Sequence, residues 1–267
     1  MKVAGIGDNV IDRYMNMGIM YPGGNAVNVA AHASRLGARA AYVGSIGADR
    51  EGRIIRDALT ALHVDLSQCI FHEDSTTKKC DVNVYDGERD YIGADEGKNW
   101  AHTTRIRDCD VDYLRDFDVV HTSCNAKLHE DVHKLQDLAA MVTFDFSVKD
   151  KYRTHEFLEL TCPYLELGQF SCEHMETDAI RELMQKVYGH GCRNVVATMG
   201  ERGQMFYNGR EFVEGKARYV KALDTMGAGD SYIAGFLFGL LRGKSIPDCM
   251  ALGAQSSSVT LQYSGAW

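Results

Sequence analysis

Residues 224–230 read Asp224-Thr225-Met226-Gly227-Ala228-Gly229-Asp230. From Ser231 onward the apolar residues Ile233, Phe236, Leu237, Leu240 and Leu241 recur at helical spacing, and Gly243 marks a stop. The spacing predicts a helix that opens on Gly227, Ala228 and Gly229. First-turn N–H groups of a helix lack intrahelical acceptors, small side chains leave them accessible, and the helix dipole adds partial positive charge. Such a helix start is an anion site. Asp230 is the discordant residue, because a carboxylate repels a bound phosphate. It makes sense if it takes a proton from an attacking hydroxyl while the amides hold charge developing on a phosphoryl group. The plainer reading is a glycine turn with Asp230 as a dipole-friendly first-turn acid.

Outward from this run, short apolar segments alternate with helical patterns. Residues 3–6, 40–44, 119–122, 141–144, 164–167 and 194–198 read as strands. Residues 25–36, 51–62, 127–138 and 177–188 read as helices. In the first of these Ala26, Val29, Ala30, Ala33 and Leu36 share a face, and Gly37 is the C-cap. The alternation predicts an α/β fold with right-handed crossovers and a mostly parallel sheet covered on both faces. Residues 14–22 and 78–92 break the pattern, being strand-like but more polar. Residues 80–85 alternate, and Asp86-Gly87 signals a hairpin turn. These stretches predict a small β element projecting from the sheet, either a lid or an ordinary edge hairpin.

A chain of 267 residues makes one large domain, or a domain with a small appendage. Three prolines argue against long linkers, and 26 glycines suit a fold with many tight turns. The net charge of −8 offers no general attraction to nucleic acid or an anionic membrane. A local donor cluster would still suffice for an anionic nucleotide. No apolar run approaches the ~20 residues of a membrane span, and no signal-peptide core is visible. With eight cysteines and no C-x-x-C, the chain reads as a cytoplasmic protein with reduced thiols.

Further motifs carry unequal weight. In Gly23-Gly24-Asn25-Ala26-Val27-Asn28 the glycines let another molecule approach the backbone. Asn25 can cap the helix, and Asn25 and Asn28 share a face from which amides can bind sugar hydroxyls. The turn from Thr198 through Gly200 to Gly203 follows a strand, and open α/β sheets bind nucleotides at the carboxyl ends of strands. Gly5-Ile6-Gly7-Asp8-Asn9-Val10 starts like a dinucleotide fingerprint but lacks the third glycine. His129-Glu130-Asp131-Val132-His133 matches H-E-x-x-H, yet Glu130, Asp131, Lys134, Gln136 and Asp137 mark that helix face as solvated. Neither a P-loop nor an H-R-D catalytic loop is present.

The G-G-N-A-x-N element at 23–28 and the D-T-x-G-A-G-D element at 224–230 resemble the paired signatures of the ribokinase-like (PfkB) sugar kinases. Gly44-Ser45-Ile46-Gly47-Ala48-Asp49 with Gly52, and the T-x-G-x-x-G turn at 198–203, match as well. The resemblance spans residues 1–267. It implies a three-layer α/β sandwich with a lid from approximately 13–22 and 76–97, and ATP and Mg²⁺ as cofactors. Gly7-Asp8-Asn9, Thr143-Phe144-Asp145-Phe146-Ser147 and Gly265-Ala266-Trp267 further resemble the fructoselysine 6-kinase subgroup.

By this resemblance Asp230 is the catalytic base, and Gly227, Ala228 and Gly229 form the anion hole. Asp12 matches the acid that holds sugar hydroxyls, and Gly23, Gly24 and Asn28 match sugar-contacting positions. Thr198, Gly200 and Gly203 match the nucleotide turn, and Lys149 matches a basic residue near the phosphates. Asp224 matches a position associated with a monovalent cation such as K⁺, or simply supports the loop. Glu173 matches a magnesium-site acid, but the asparagine expected three residues earlier is Phe170. Two positions before Asp12, where ribokinase relatives carry asparagine, stands Val10, so ribose is a poor substrate candidate. The expected activity is ATP-dependent phosphorylation of the 6-hydroxyl of fructoselysine or a related fructosamine. Asp81, Asp95 or Glu96 would meet the substrate's ammonium groups, or are plain loop charge. The alternatives are a kinase for fructose, a ketodeoxy acid or a nucleoside, and a non-catalytic sensor on the same fold. A homodimer through the lid and a monomer both fit.

Overall fold

A computed structural model describes residues 1–98 and 105–267. Thirteen strands are named among them: β1 (Lys2–Gly7), β2 (Val10–Tyr14), β3 (Ile19–Gly23), β4 (Arg39–Gly47), β5 (Ile70–His72), β6 (Lys79–Tyr85), β7 (Glu88–Asp95), β8 (Val119–Ser123), β9 (Met141–Asp145), β10 (Leu167–Ser171), β11 (Val195–Thr198), β12 (Gln204–Tyr207) and β13 (Phe212–Gly215). The seven α-helices are α1 (Asn25–Arg35), α2 (Arg50–Ala61), α3 (Asp108–Leu114), α4 (His155–Thr161), α5 (Thr177–Gly189), α6 (Ala228–Leu241) and α7 (Ile246–Thr260).

Nine strands form the main sheet in the order β13-β12-β11-β10-β9-β8-β1-β4-β5. From β5 to β11 every pairing is parallel; the β11-β12 and β12-β13 pairings are antiparallel, so β12 alone runs against the other strands. Side chains of a strand alternate between faces, and the core divides accordingly. Ala4 and Ile6 of β1 face a cluster shared with Leu114, Phe157, Ile180 and Val187 of α3, α4 and α5. Val3 faces the opposite cluster, built with α1, α2, α6 and α7. The result is the three-layer α/β sandwich expected from the alternation.

The second sheet runs β3-β2-β6-β7, with β2 and β6 parallel and the outer pairs antiparallel. Its first strand begins at Val10, earlier than the sequence pattern indicates. It joins the body through Tyr14, Val82, Val84, Met226 and Ala266, a small cluster of its own. At its root, Asp49 caps α2 by accepting from Gly52 N at 2.9 Å. The same carboxylate accepts from Thr77 N at 2.8 Å and Thr77 Oγ1 at 2.6 Å, just before β6.

Two elements differ from expectation. Residues 127–138 are not an α-helix but turns around a short 3-10 segment, Val132–Leu135. Lys127 adopts a left-handed φ of 56°, and Leu128, Val132 and Leu135 are all fully buried. Their spacing suits one helical face, yet the segment satisfies it as a chain of turns. His129 packs on Phe157 and His133 Nδ1 bonds to Glu130 O, so the H-E-x-x-H pair does not converge on a metal. Residues 164–167 are displaced as well. Pro163 sits in a 3-10 turn, Cys162–Tyr164, and β10 starts only at Leu167.

Candidate active site

The 224–227 loop brings α6 to the carboxyl ends of the central strands. Asp224 is fully buried and its carboxylate accepts from Tyr14 OH, from Met226 N at 2.9 Å and from Gly265 N at 2.8 Å. These contacts match its loop-supporting reading. Gly227 adopts a φ of 73°, and a Cβ there would stand 2.5 Å from Ala266 O. Only glycine fits such a corner. The helix starts at Ala228, so the N–H groups of Gly229 and Asp230 have no intrahelical acceptor. Gln169 Nε2 donates to Gly229 O at 3.1 Å and ties this first turn to β10.

Asp230 is half-buried, and both its oxygens are held by amides of α1. Asn25 Nδ2 donates to Oδ1 at 2.6 Å, and Asn28 Nδ2 donates to Oδ2 at 2.6 Å. Burial pushes the Asp230 carboxyl up to about 7, with Asp145 adding repulsion and the Asn28 hydrogen bond opposing the rise. The Asn25 amide also donates to Asp145 Oδ2 at 2.8 Å. Burial likewise raises Asp145, to about 6. Asp8, raised chiefly by burial, accepts from Asn25 N at 3.1 Å and Ser123 Oγ at 3.2 Å. Three carboxylates thus surround one helix start, beside the orphan amides of α6. A carboxylate poised near neutrality beside an anion hole can accept a proton from a hydroxyl.

Asp12 on β2 is buried and, among the described residues, accepts no hydrogen bond. Burial raises it to about 7, against the opposing pull of Arg89. Such a carboxylate is suited to polar groups of a ligand, since an unpaired buried charge is costly. The flanking glycines are also required by the protein's own packing. A Cβ at Gly23 would strike Asp12 Oδ2, and one at Gly24, φ 110°, would stand 2.7 Å from Asn9 Cα. They make room for the protein's own acid and backbone. Arg89 on β7 reaches across to Thr225 Oγ1 at 3.3 Å, so the small sheet touches the 224–230 loop.

Thr198, Gly200 and Gly203 form the turn after β11, with Gly200 and Gly203 at φ 60° and 97°. Met199 N donates to Gly203 O at 2.8 Å and closes it. Glu173 is exposed and overhangs this turn; a Cβ at Gly200 would stand 2.6 Å from its Oε1. Phe170 is part of the core, stacked on Phe146 with centroids 4.5 Å apart. Lys149 is exposed just beyond β9 and has no hydrogen bond to the carboxylate group. The structure therefore assembles Asp230, Asn28 and the 227–229 run in one place, with Asp12 and the glycine pair beside it. The 198–203 turn and Glu173 form a second group, bridged to the first through β10.

The acids of the small sheet are already paired. Asp81 takes two hydrogen bonds from Arg13, Glu96 lies 3.0 Å from Lys78 Nζ, and Asp95 lies 3.7 Å from Lys79 Nζ. These pairs lie at the surface, with Asp95 and Glu96 more than half exposed, and they accord with the loop-charge reading while leaving both carboxylates open to solvent. Conversely, Asp8, His121, Asp145 and Trp267 were not singled out for roles, and all belong to the Asp230 network. A readable signal existed for one of them: Asp145 ends a parallel strand.

The pfkB family carbohydrate kinase pattern matches residues 10–267. A fructoselysine 6-kinase of Shigella flexneri is 32% identical over 265 residues, covering 99% of each chain. A fructosamine kinase of Bacillus subtilis is 30% identical over 271 residues, covering 100% of this chain and 93% of its own. An aminoimidazole riboside kinase from Salmonella enterica superposes with a TM-score of 0.80 at 20% identity, covering 100% and 95%. An Arabidopsis thaliana ribokinase superposes at 0.79 and 19%, covering 99% and 93%. The sandwich is thus the ribokinase-like fold, and the chain belongs to the pfkB family of carbohydrate kinases.

Proposed function

We propose that this kinase transfers the γ-phosphoryl group of ATP to the 6-hydroxyl of fructoselysine or a related fructosamine. The observation that carries the chemistry is Asp230, raised toward neutrality and held by two amides beside the open N–H groups of α6. The near-full-length similarity to fructoselysine and fructosamine kinases supports the substrate class.

In this reading the hydroxyl gives its proton to Asp230 as its oxygen bonds to the γ-phosphorus, and ADP departs with the electrons of the broken P–O bond. The N–H groups at 227–229 face the charge on the phosphoryl oxygens. Asp12 holds sugar hydroxyls, and the β3-β2-β6-β7 sheet acts as the lid that excludes water. The 198–203 turn and Lys149 belong to the nucleotide side. Among the described residues no three His, Cys, Asp or Glu side chains cluster to hold a metal. That donor set fits Mg²⁺ carried on the nucleotide phosphates with at most one or two carboxylates, Glu173 being the nearest to the turn. Such an ion would neutralise phosphate charge. Three donors bind the oxygens of Asp224 and leave acceptor capacity for a monovalent cation such as K⁺; turnover in potassium against tetramethylammonium salts tests that role. The edge strand β7 exposes Tyr91 and Ile92, a surface suited to pairing two copies; light scattering on the purified protein distinguishes that dimer from a monomer.

The experiment is ADP release with Mg·ATP across fructoselysine, other fructosamines, fructose, ribose and a nucleoside, with Asp230→Asn as control. Selective turnover of fructosamines that falls at least ~100-fold in D230N is expected. Turnover of only a plain sugar or a nucleoside overturns the substrate, and an active D230N overturns the base.

A further inference from the structure

An asparagine amide has nearly the same shape when its oxygen and nitrogen are exchanged, so packing alone does not choose the orientation. For Asp230 the choice matters. Two Nδ2 groups facing it stabilise the carboxylate, whereas two carbonyls facing it would repel that charge. Each of the two asparagines has one partner on its oxygen, and Asn25 Nδ2 is shared with Asp145. Trp267 Nε1 donates to Asn28 Oδ1 at 2.8 Å. An indole N–H has no acceptor character, so it accepts only the orientation that turns Nδ2 toward Asp230. His121 Nε2 lies 2.8 Å from Asn25 Oδ1, and His121 Nδ1 lies 2.8 Å from Thr143 Oγ1. His121 is fully buried with no acid partner, and burial lowers it to about 3, so it is neutral with a single N–H. With that hydrogen on Nε2 and the Thr143 hydroxyl donating to Nδ1, every group in the chain is satisfied. The other tautomer would leave Asn25 to face Asp145 and Asp230 with its carbonyl.

We propose that His121 and Trp267 are positioning residues: each clamps one asparagine by its oxygen, so that both Nδ2 groups stay aimed at the two oxygens of Asp230. The clamps come from separate segments. His121 projects from β8. Trp267 is carried by a tail whose Gly265 N donates to Asp224 Oδ2 at 2.8 Å and whose Ala266 O lies 2.8 Å from His32 Nε2. Burial lowers His32 to about 4, so it too stays neutral and donates through Nε2. Asp224 therefore serves Asp230 at a distance, by holding the tail that holds Asn28. The other charged groups around Asp230 are Asp145 on β9, Asp8 after β1 and Arg89 on β7, while α1 contributes only the two amides.

The inference rests on Asp230 being the base, but its test does not depend on the sugar. The carboxyl ¹³C resonance of Asp230, identified by its loss in D230N, is titrated in the full-length protein. In Trp267→Phe and His121→Leu the midpoint is expected to rise by about one pH unit, the tenfold change of one charge-assisted hydrogen bond. His121→Gln restores an N–H donor at that position and is expected to titrate close to the unmodified protein. In an Asn28→Ala background, Trp267→Phe should add nothing, because the group it orients is gone. With the best substrate of the panel, W267F should lose about tenfold in kcat/KM near pH 6 and little near pH 9. Unchanged midpoints in W267F overturn the proposal, and so does a W267F shift that persists in N28A. Should H121L not fold, W267F and its cycle with N28A decide alone. A substrate panel that fails while the midpoints move removes the substrate reading and leaves the clamps in place.

Discussion

Asp145 and Asp230 share one donor: Asn25 Nδ2 lies 2.8 Å from Oδ2 of the first and 2.6 Å from Oδ1 of the second. Two carboxylates on one amide cannot both ionise easily, and the Asp145 charge raises Asp230. Removing one charge should therefore acidify the other. Asp145→Asn is expected to lower the acid limb of the kcat/KM profile from its midpoint near 7. A pH–rate profile on the best substrate checks this. A limb that stays or moves upward contradicts the coupling.

Asp12 predicts a stability effect of unusual sign. Its carboxyl goes from an ordinary 3.8 to about 7 on folding, so the folded state binds the proton more tightly. Stability is then retained below about pH 4 and lost as pH rises through 7. Asp12→Asn removes that penalty. It is expected to raise Tm by a few degrees at pH 8 and to change it little at pH 4, while abolishing sugar binding. Differential scanning calorimetry at the two pH values, beside sugar titration, tests both halves.

Gly24 combines a φ of 110° with a would-be Cβ 2.7 Å from Asn9 Cα and 2.8 Å from Asp8 O. Both neighbours are backbone and neither can yield cheaply. Gly24→Ala is expected to cost about 2 kcal/mol or more, read as a lower urea midpoint. A midpoint equal to that of the unmodified protein would show that the turn relaxes.

Asp49 joins the cap of α2 to the root of the small sheet through Thr77. Asp49→Ala is expected to cost about 1 kcal/mol from the lost cap. It should also speed amide hydrogen exchange in β6 and β7 more than in β8 to β11. Uniform acceleration across both sheets would mean that the contact stabilises the fold without securing the lid.

Much of the architecture was legible because its signals are local. The 3.6-residue apolar period after Ser231, the glycines before it and the alternating β and α segments each act over a few residues, and the structure reproduces α6 and the parallel sheet from them. The same locality explains the failure at 127–138. The spacing of Leu128, Val132 and Leu135 records only that those side chains are buried, and turns bury them equally well. The hairpin of residues 80–95 was visible in its turn residues, but the ion pairs that occupy Asp81, Asp95 and Glu96 were not.

Sequence by itself determined which residue stands at the start of the final functional helix, because periodicity and glycine placement set that boundary. Only the tertiary structure decided what surrounds it. Asp8, Asn25, His121, Asp145 and Trp267 come from five separate segments; the Asp8–Asn25 contact spans 17 residues, and the contacts that tie Asn25 and Asn28 to His121, Asp145, Asp230 and Trp267 span between 96 and 239. Hydrogen bonds of that range leave no periodic trace, since each needs only one polar residue at one strand end. It is burial among those partners that makes Asp230 a weak enough acid to act as a base near neutral pH.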